Sequence, residues 1–226
     1  MHFSRIRSRA LVALVALAAL APASPAGATT AHRPVRIGRH VYDVSTVDPH
    51  DAKSVGRFLE KLHAAHDDHA LGWVRDANVP TATRRAIIAY VAQPGTITTT
   101  RTVVDVPATG AYAKYRCRIE VRRVESHTPG MLRWYYEQRV PFCFDGRRIQ
   151  HAPRPTIRTN AYLGWGYRGA NVEAYWFPAP TTFRVHSRGK FVLNIGWLTV
   201  NTHRPWIDST VRGRGTSSST GKCGCN

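Results

Sequence analysis

The stretch HAAHDDH, residues 63–69, places three histidines and two aspartates in seven positions. Imidazole with carboxylate is a workable zinc set, and three protein ligands with a fourth position open would make a catalytic centre. On a helix, His63 and Asp67 lie four apart and His63 and His66 three apart, so each pair shares one surface. The spacing is not HExxH, in which the glutamate has a defined catalytic role. His66 and His69 instead continue an apolar stripe, where packing and hydrogen bonding are the commoner fate of a histidine. Two aspartates near a helix C-terminus oppose the dipole, and Arg75 or the general positive field must offset them. The expectation is therefore no metal and no cofactor. If a metal is held, His63 and Asp67 are the pair that points away from the stripe.

Other catalytic patterns are missing. There is no GxSxG elbow, phosphate loop or dinucleotide fingerprint. Glu125 with His127, or His151 among arginines, has the residue types for acid–base work, but polar side chains also belong at a hairpin tip and in a turn. For binding, FDGRRIQHAPRPTIRTNAYLGWGYRG interleaves Arg147, Arg148, Arg154, Arg158 and Arg168 with Tyr162, Trp165 and Tyr167. Arginines hold phosphates while aromatic rings stack on bases or sugars. A half-buried sheet has the same alternation, with arginines outside and aromatics inside.

These residues sit in a chain that reads as exported. Arg5, Arg7 and Arg9 precede an apolar run from Ala10 to Ala21, and Ala26-Gly27-Ala28 supplies a cleavage site. That is the pattern of a secretory signal peptide over residues 1–28, too short to stay as a membrane span. Its removal from 226 residues leaves 198, with no later membrane segment expected. The formal charge is +18, with 32 Lys and Arg against 14 Asp and Glu. From Gly146 onward, twelve Lys or Arg face only Glu173 and Asp208, whereas residues 29–145 carry seventeen against twelve acids. A surface so biased attracts anionic polymers: wall phosphate polymer, glycan or nucleic acid. The competing reading is a solvated basic surface that keeps a secreted protein soluble.

Residues 29–47 read as a mobile basic leader and 48–95 as a helical segment. Asp48 is the expected N-cap, Pro49 suits the first helical position, and Val55, Phe58, Leu59, Leu62 and Ala65 form the stripe, with Gly72 as the stop. TATRRAIIAYVA, residues 81–92, reads as a second helix stopped by Pro94-Gly95, with a buried strand over AIIAYV as the alternative. From Thr96 the pattern changes to short β-branched and aromatic runs: TTRTVVDV, KYRCRIEVRRVE, MLRWYYEQRVPFCF, AYLGWGYR, VEAYWF, TTFRVHS, KFVLNIGWLTV and PWIDSTVR. Strands at this spacing make residues 96–213 an antiparallel β-sandwich. The fold class is mainly β with a short N-terminal helical segment, α+β overall. The close, residues 214–226, is rich in Gly and Ser and reads as a flexible tail carrying Cys223-Gly224-Cys225.

Four cysteines in an exported chain are expected to pair. A hairpin centred on Gly130 sets Cys117 against Cys143, close enough for a disulfide, and Arg123 against Glu137. The same register opposes Val121 to Arg139 and implies a bulge near Arg122 or Arg123. Cys223 and Cys225 then pair with each other in a small ring, or the tail folds back and each takes one cysteine of the hairpin. A reactive or metal-binding CxC would need partners that the sequence does not identify.

FCFDG, RGKFVLNIGW followed by HRPWI, and the RGRG close resemble exported, β-rich actinobacterial proteins without an assigned activity. The resemblance covers about the last half of the chain and implies a compact exported β domain, with no catalytic residues to carry over. Such proteins often carry cysteines in the strand matching KFVLNIGW; here there are none, so no disulfide pattern transfers. Taken together, the expectation is a secreted, non-enzymatic binding module for anionic polymers at or beyond the cell surface. A secreted hydrolase using His and acidic residues, and a secreted toxin or structural surface protein, are the alternatives.

Overall fold

The computed structural model describes residues 33–68, 71–195 and 198–225. The expected signal peptide lies outside them, as does His69. The chain from residue 32 onward forms one compact unit. It starts with a small antiparallel hairpin, β1 (Val35–Ile37) and β2 (His40–Tyr42), where a mobile leader was expected. The reason is apolar: Val35, Ile37 and Tyr42 are buried in the same core as the helices.

Helix α1 (Ala52–Ala64) begins one turn later than expected. Its N-cap is Asp51, whose carboxylate accepts from the amides of Lys53 and Ser54, while Asp48 caps the turn before it by accepting from the His50 amide. The stripe Val55, Phe58, Leu59 and Leu62 is buried. The helix ends well before Gly72, in a Schellman motif: the His66 amide donates to the His63 carbonyl at 3.0 Å and the Asp67 amide to Leu62 at 2.9 Å. His66 takes the left-handed position with φ 58° and is exposed, so it does not extend the apolar face. α2 (Thr81–Ala92) follows, burying Ile87 and Val91. No helix among the described residues is long and apolar enough to cross a membrane.

The rest is antiparallel β-sheet. One sheet contains β3 (Thr96–Val106), β4 (Arg116–Thr128), β5 (Met131–Phe144) and β6 (Ile149–His151) in that order, with β7 (Thr156–Ala161) also on β5. The second contains β8 (Trp165–Ala179), β9 (Thr182–Ile195), β10 (Leu198–Arg212) and β11 (Ser217–Cys225), in the order β11-β10-β9-β8. The two sheets face one another. Between them lie Val124, Trp134, Tyr136 and Val140 from the first, and Val185, Phe191, Ile207 and Val211 from the second, all buried. At the centre, Gln138 donates to Ser187 at 2.6 Å and accepts from Ser209 at 2.6 Å, so its buried amide is satisfied from the opposite sheet.

The register around Gly130 holds from Cys117↔Cys143 to Ser126↔Trp134, including Arg123↔Glu137 and Val121↔Arg139. Cys117 and Cys143 are bonded, and so are Cys223 and Cys225. The bulge sits nearer the turn than expected, between Ser126 and His127, opposite Arg133. Its consequence is that Arg133 and Trp134 both turn inward and are buried. KFVLNIGWLTV does not form one strand: its first half ends β9 and its second half begins β10.

The Gly/Ser close is strand β11, not a flexible tail, and it pairs with β10 from His203↔Cys225 to Val211↔Ser217. Its alternation explains why. Ser217 and Ser219 face inward, and both hydroxyls donate to the carboxylate of Glu120 on β4, which is fully buried. Arg101 on β3 holds the same carboxylate through two bonds, at 2.8 and 3.2 Å.

Candidate functional site

The HAAHDDH cluster comes apart in space. His63 Nδ1 meets Asp68 at 2.6 Å, not Asp67, and its ring stands edge-on to Tyr162 with centroids 4.7 Å apart. Asp67 turns the other way. It accepts from the Tyr42 hydroxyl at 2.7 Å and from the Arg39 amide, and pairs with His40 at 2.7 Å. The bond from Tyr42, with those from His40 and Arg39, holds the Asp67 carboxyl below the usual carboxylate range; burial and the same bond push the Tyr42 phenol up to about 12. Each aspartate thus ties the end of α1 to a different neighbour, Asp67 to the β1–β2 hairpin and Asp68 through its carbonyl to Gly164 at 3.2 Å. The candidate pair His63 and Asp67 does not share a site.

Glu125 and His127 bond each other at 3.1 Å, and Glu125 is also held by Arg123 at 2.6 Å. His151 stacks on Tyr112, centroids 4.1 Å apart, above the Cys117–Cys143 bond. Glu125 thus orients His127, but among the described residues no hydroxyl or thiol nucleophile is bonded to His127 or His151.

Of the arginine–aromatic segment, the alternation proves to be that of a half-buried sheet. Trp165 is buried against His203, Tyr162 packs on His63, and Tyr167 lies against Phe191. The arginines are exposed and dispersed. Arg158 opposes Glu137 on the first sheet, Arg154 lies in the loop after β6, and Arg168 sits by a bulge of β8. Arg148 and Arg147 follow β5, their amides held at 2.7 Å by Asp145, which these bonds keep below the usual carboxylate range. Of these residues, Arg147 alone joins a larger basic group: it lines a cleft of about 470 Å³ with Arg212 and Arg214.

That cleft opens at one end of a surface that sequence reading missed, the outward face of the second sheet. Register places Trp206 of β10 directly between Arg188 of β9 and Lys222 of β11. Two residues along, Asp208 lies between His186 and Thr220; two further, Thr210 lies between Arg184 and Ser218, with Trp176 of β8 beyond Arg184. Arg204 and Arg212 stand exposed at the two ends of the β10 row. Opposed side chains on one face lie about 5 Å apart, so cations and indole rings alternate as neighbours. Both acids of the C-terminal half lie here, and His186 bridges them, to Asp208 at 2.5 Å and to Glu173 at 3.0 Å. Except for a long 3.8 Å approach of Arg188 to Glu173, the cations of this face make no ion pair among the described residues. The only available signal was the period-two spacing 204, 206, 208, 210, 212 in PWIDSTVR and its flanks, because the partners from β9 and β11 are set by register.

A second group lies on the inward face of the same sheet. His203, Cys223 and Cys225 bring a ring nitrogen and two sulfurs within 4.8 Å of one another, ligand types that could hold a soft cation once the cysteines are reduced. His203 is buried, and its Nδ1 accepts from the Trp134 indole N–H at 3.1 Å. Burial, with the charge of nearby Arg133, pulls its pKa down to about 4, so the ring is neutral near pH 7. Arg133, itself desolvated, is held below the usual guanidinium range by that burial.

No family model, curated protein or solved structure matches the chain.

Proposed function

We propose that this protein is an exported, non-enzymatic module that binds anionic polymers through the outward face of the β8–β11 sheet. The observation that carries the reading is the row Arg188–Trp206–Lys222, extended by Arg184 beside Trp176 and continued through Arg212 to the cleft with Arg147 and Arg214. Guanidinium and ammonium groups would neutralise phosphates or sulfates, and the indole rings would stack on sugars or bases. Asp208 and Glu173 both bond His186, which leaves Arg184 and Lys222 without an ion pair among the described residues and Arg188 with only a long 3.8 Å approach to Glu173. Export is supported by the signal-like residues 1–28 and by the two disulfides.

Fluorescence anisotropy with labelled heparin, polyphosphate, teichoic acid and single-stranded RNA, each over a range of salt, tests the reading. Affinity should fall linearly with salt on logarithmic axes, with a slope set by the number of contacts. Simultaneous replacement of Arg184, Arg188 and Lys222 by Ala should abolish binding while the unfolding midpoint stays in place. Absent or salt-insensitive binding by the native chain overturns it.

A further inference from the structure

We infer that Cys223 and Cys225 form an exchangeable redox disulfide, reduced and re-formed by external thiols and disulfides, and that His203 is its positioning residue. A cross-link stabilises mainly by closing a loop in the unfolded chain. The Cys117–Cys143 bond spans 26 positions of sequence, but Cys223–Cys225 spans 2 and encloses only Gly224. As a staple it contributes little, because residues this close in sequence are already neighbours in the unfolded chain. β11 is moreover held without it, by its ladder to β10 and by the two serines on Glu120.

The surroundings suit exchange. β11 is the edge strand of its sheet, and both cysteines are half-buried, so an incoming thiolate has access. The inward-facing sulfurs meet His203, which stands opposite Cys225 in the β10–β11 register. Trp134 donates to Nδ1, so the neutral ring carries its proton on Nε2 and has an N–H to offer. A donated hydrogen bond favours a thiolate over a thiol, and a better-stabilised thiolate is a better leaving group.

The step balances with a low-molecular-weight thiol as reductant. Its thiolate attacks one sulfur; the S–S bond breaks, a mixed disulfide forms, and the other cysteine leaves as a thiolate close to the His203 imidazole. A second external thiolate attacks the mixed disulfide at the sulfur of the small molecule. That releases the oxidised small disulfide and leaves Cys223 and Cys225 as a dithiol, two electrons and two protons having entered the protein. Oxidation runs the same steps backwards.

The test uses the whole folded chain in glutathione buffers of graded reduced-to-oxidised ratio, quenched with N-ethylmaleimide and read by peptide mass spectrometry. Cys223 and Cys225 should become alkylated at ratios at least about tenfold less reducing than Cys117 and Cys143 require, as a labile pair does relative to a structural one. His203→Phe should slow reduction by roughly tenfold, the worth of one hydrogen bond to a charged group, and His203→Gln, which keeps an N–H, should recover most of that loss. Because His203 is buried, two further variants keep the test independent of its packing: Cys223→Ser and Cys225→Ser should each trap glutathione on the remaining cysteine while Cys117–Cys143 stays oxidised. Joint reduction of both pairs, or resistance of Cys223–Cys225 until the protein unfolds, overturns the exchange. Equal rates for the native chain and His203→Phe overturn the role of His203. Polymer binding by the outward face is unaffected by either result.

Discussion

Two buried carboxylates, at the end of α1 and beneath β11, are held in opposite ways. Asp68 has a single side-chain partner five residues away, His63, and its Oδ1 has no hydrogen-bond partner among the described residues. Glu120 is saturated, by Arg101 through two bonds and by Ser217 and Ser219 from nearly 100 residues further along the chain. A buried carboxylate loses its hydration and must recover it from donors. The local pair recovers part of that and fixes a helix end; the long-range cluster recovers all of it and turns a Gly/Ser segment into a strand. The number of donors, and the chain distance they cross, decides what each acid secures.

The largest break in this contrast should come from Glu120→Ala, which removes the acceptor shared by Ser217, Ser219 and Arg101 and leaves Arg101 only its bonds to Ser217. A loss of about 3–5 kcal/mol is expected from breaking a buried pair, read by denaturant unfolding, with amide exchange rising first across residues 217–225. If β11 stays protected, the serines are not what holds it.

Acid should then separate the two regions. The folded pKa of His203, about 4, lies below its ordinary value of 6.5. The unfolded chain therefore binds a proton that the folded one refuses, and stability present above pH 6.5 is lost as pH falls from there to about 4. The shift corresponds to about 3 kcal/mol, and His203→Gln should flatten that part of the stability–pH curve. Asp68→Ala should cost less, about 2 kcal/mol, because it removes one bond and an already incompletely paired acid, and the change should show at α1 and not at β11.

His66→Gly should act with the opposite sign. The left-handed C′ position strains a histidine, and glycine there should stabilise by about 0.5–1 kcal/mol, measured as a raised Tm. A fall instead would mean that the exposed ring makes a contact outside the Schellman motif. Smallest for stability, and largest for binding, is the outward face. Arg188→Ala should leave the unfolding free energy within about 0.5 kcal/mol and lower the salt slope for an anionic polymer by about 1.

Much of the architecture is legible in the sequence. MLRWYYEQRVPFCF coincides with β5, TATRRAIIAYVA with α2, and the symmetry about Gly130 with the Cys117–Cys143 pairing. These succeed because alternation, helical period and a short turn are local properties. The stop of α1 was misplaced because a histidine, not a glycine, occupies the left-handed cap. The bulge was misplaced because burial of Arg133 beside Trp134 depends on what the second sheet presents. The site was less legible: five arginines adjacent in sequence were singled out, and only Arg147 joins the basic surface, whereas Arg184, Arg188, Arg204, Arg212, Trp206 and Lys222 were passed over.

By itself, the sequence determined the two helices, most of the strands between Thr96 and Arg212, the antiparallel two-sheet class and the strongly basic C-terminal half. Only the tertiary structure decided which charges are neighbours. A strand pairs with segments at any distance along the chain, and its register alone puts Lys222 and Arg188 on either side of Trp206, or Cys225 opposite His203. It decided the fate of the acids as well, because the donors that make burial tolerable for Glu120 come from strands at both ends of the sandwich domain. Local composition has no access to that pairing, and so HAAHDDH clusters in sequence but comes apart in space, while the Gly/Ser close gives no sign of the strand it forms.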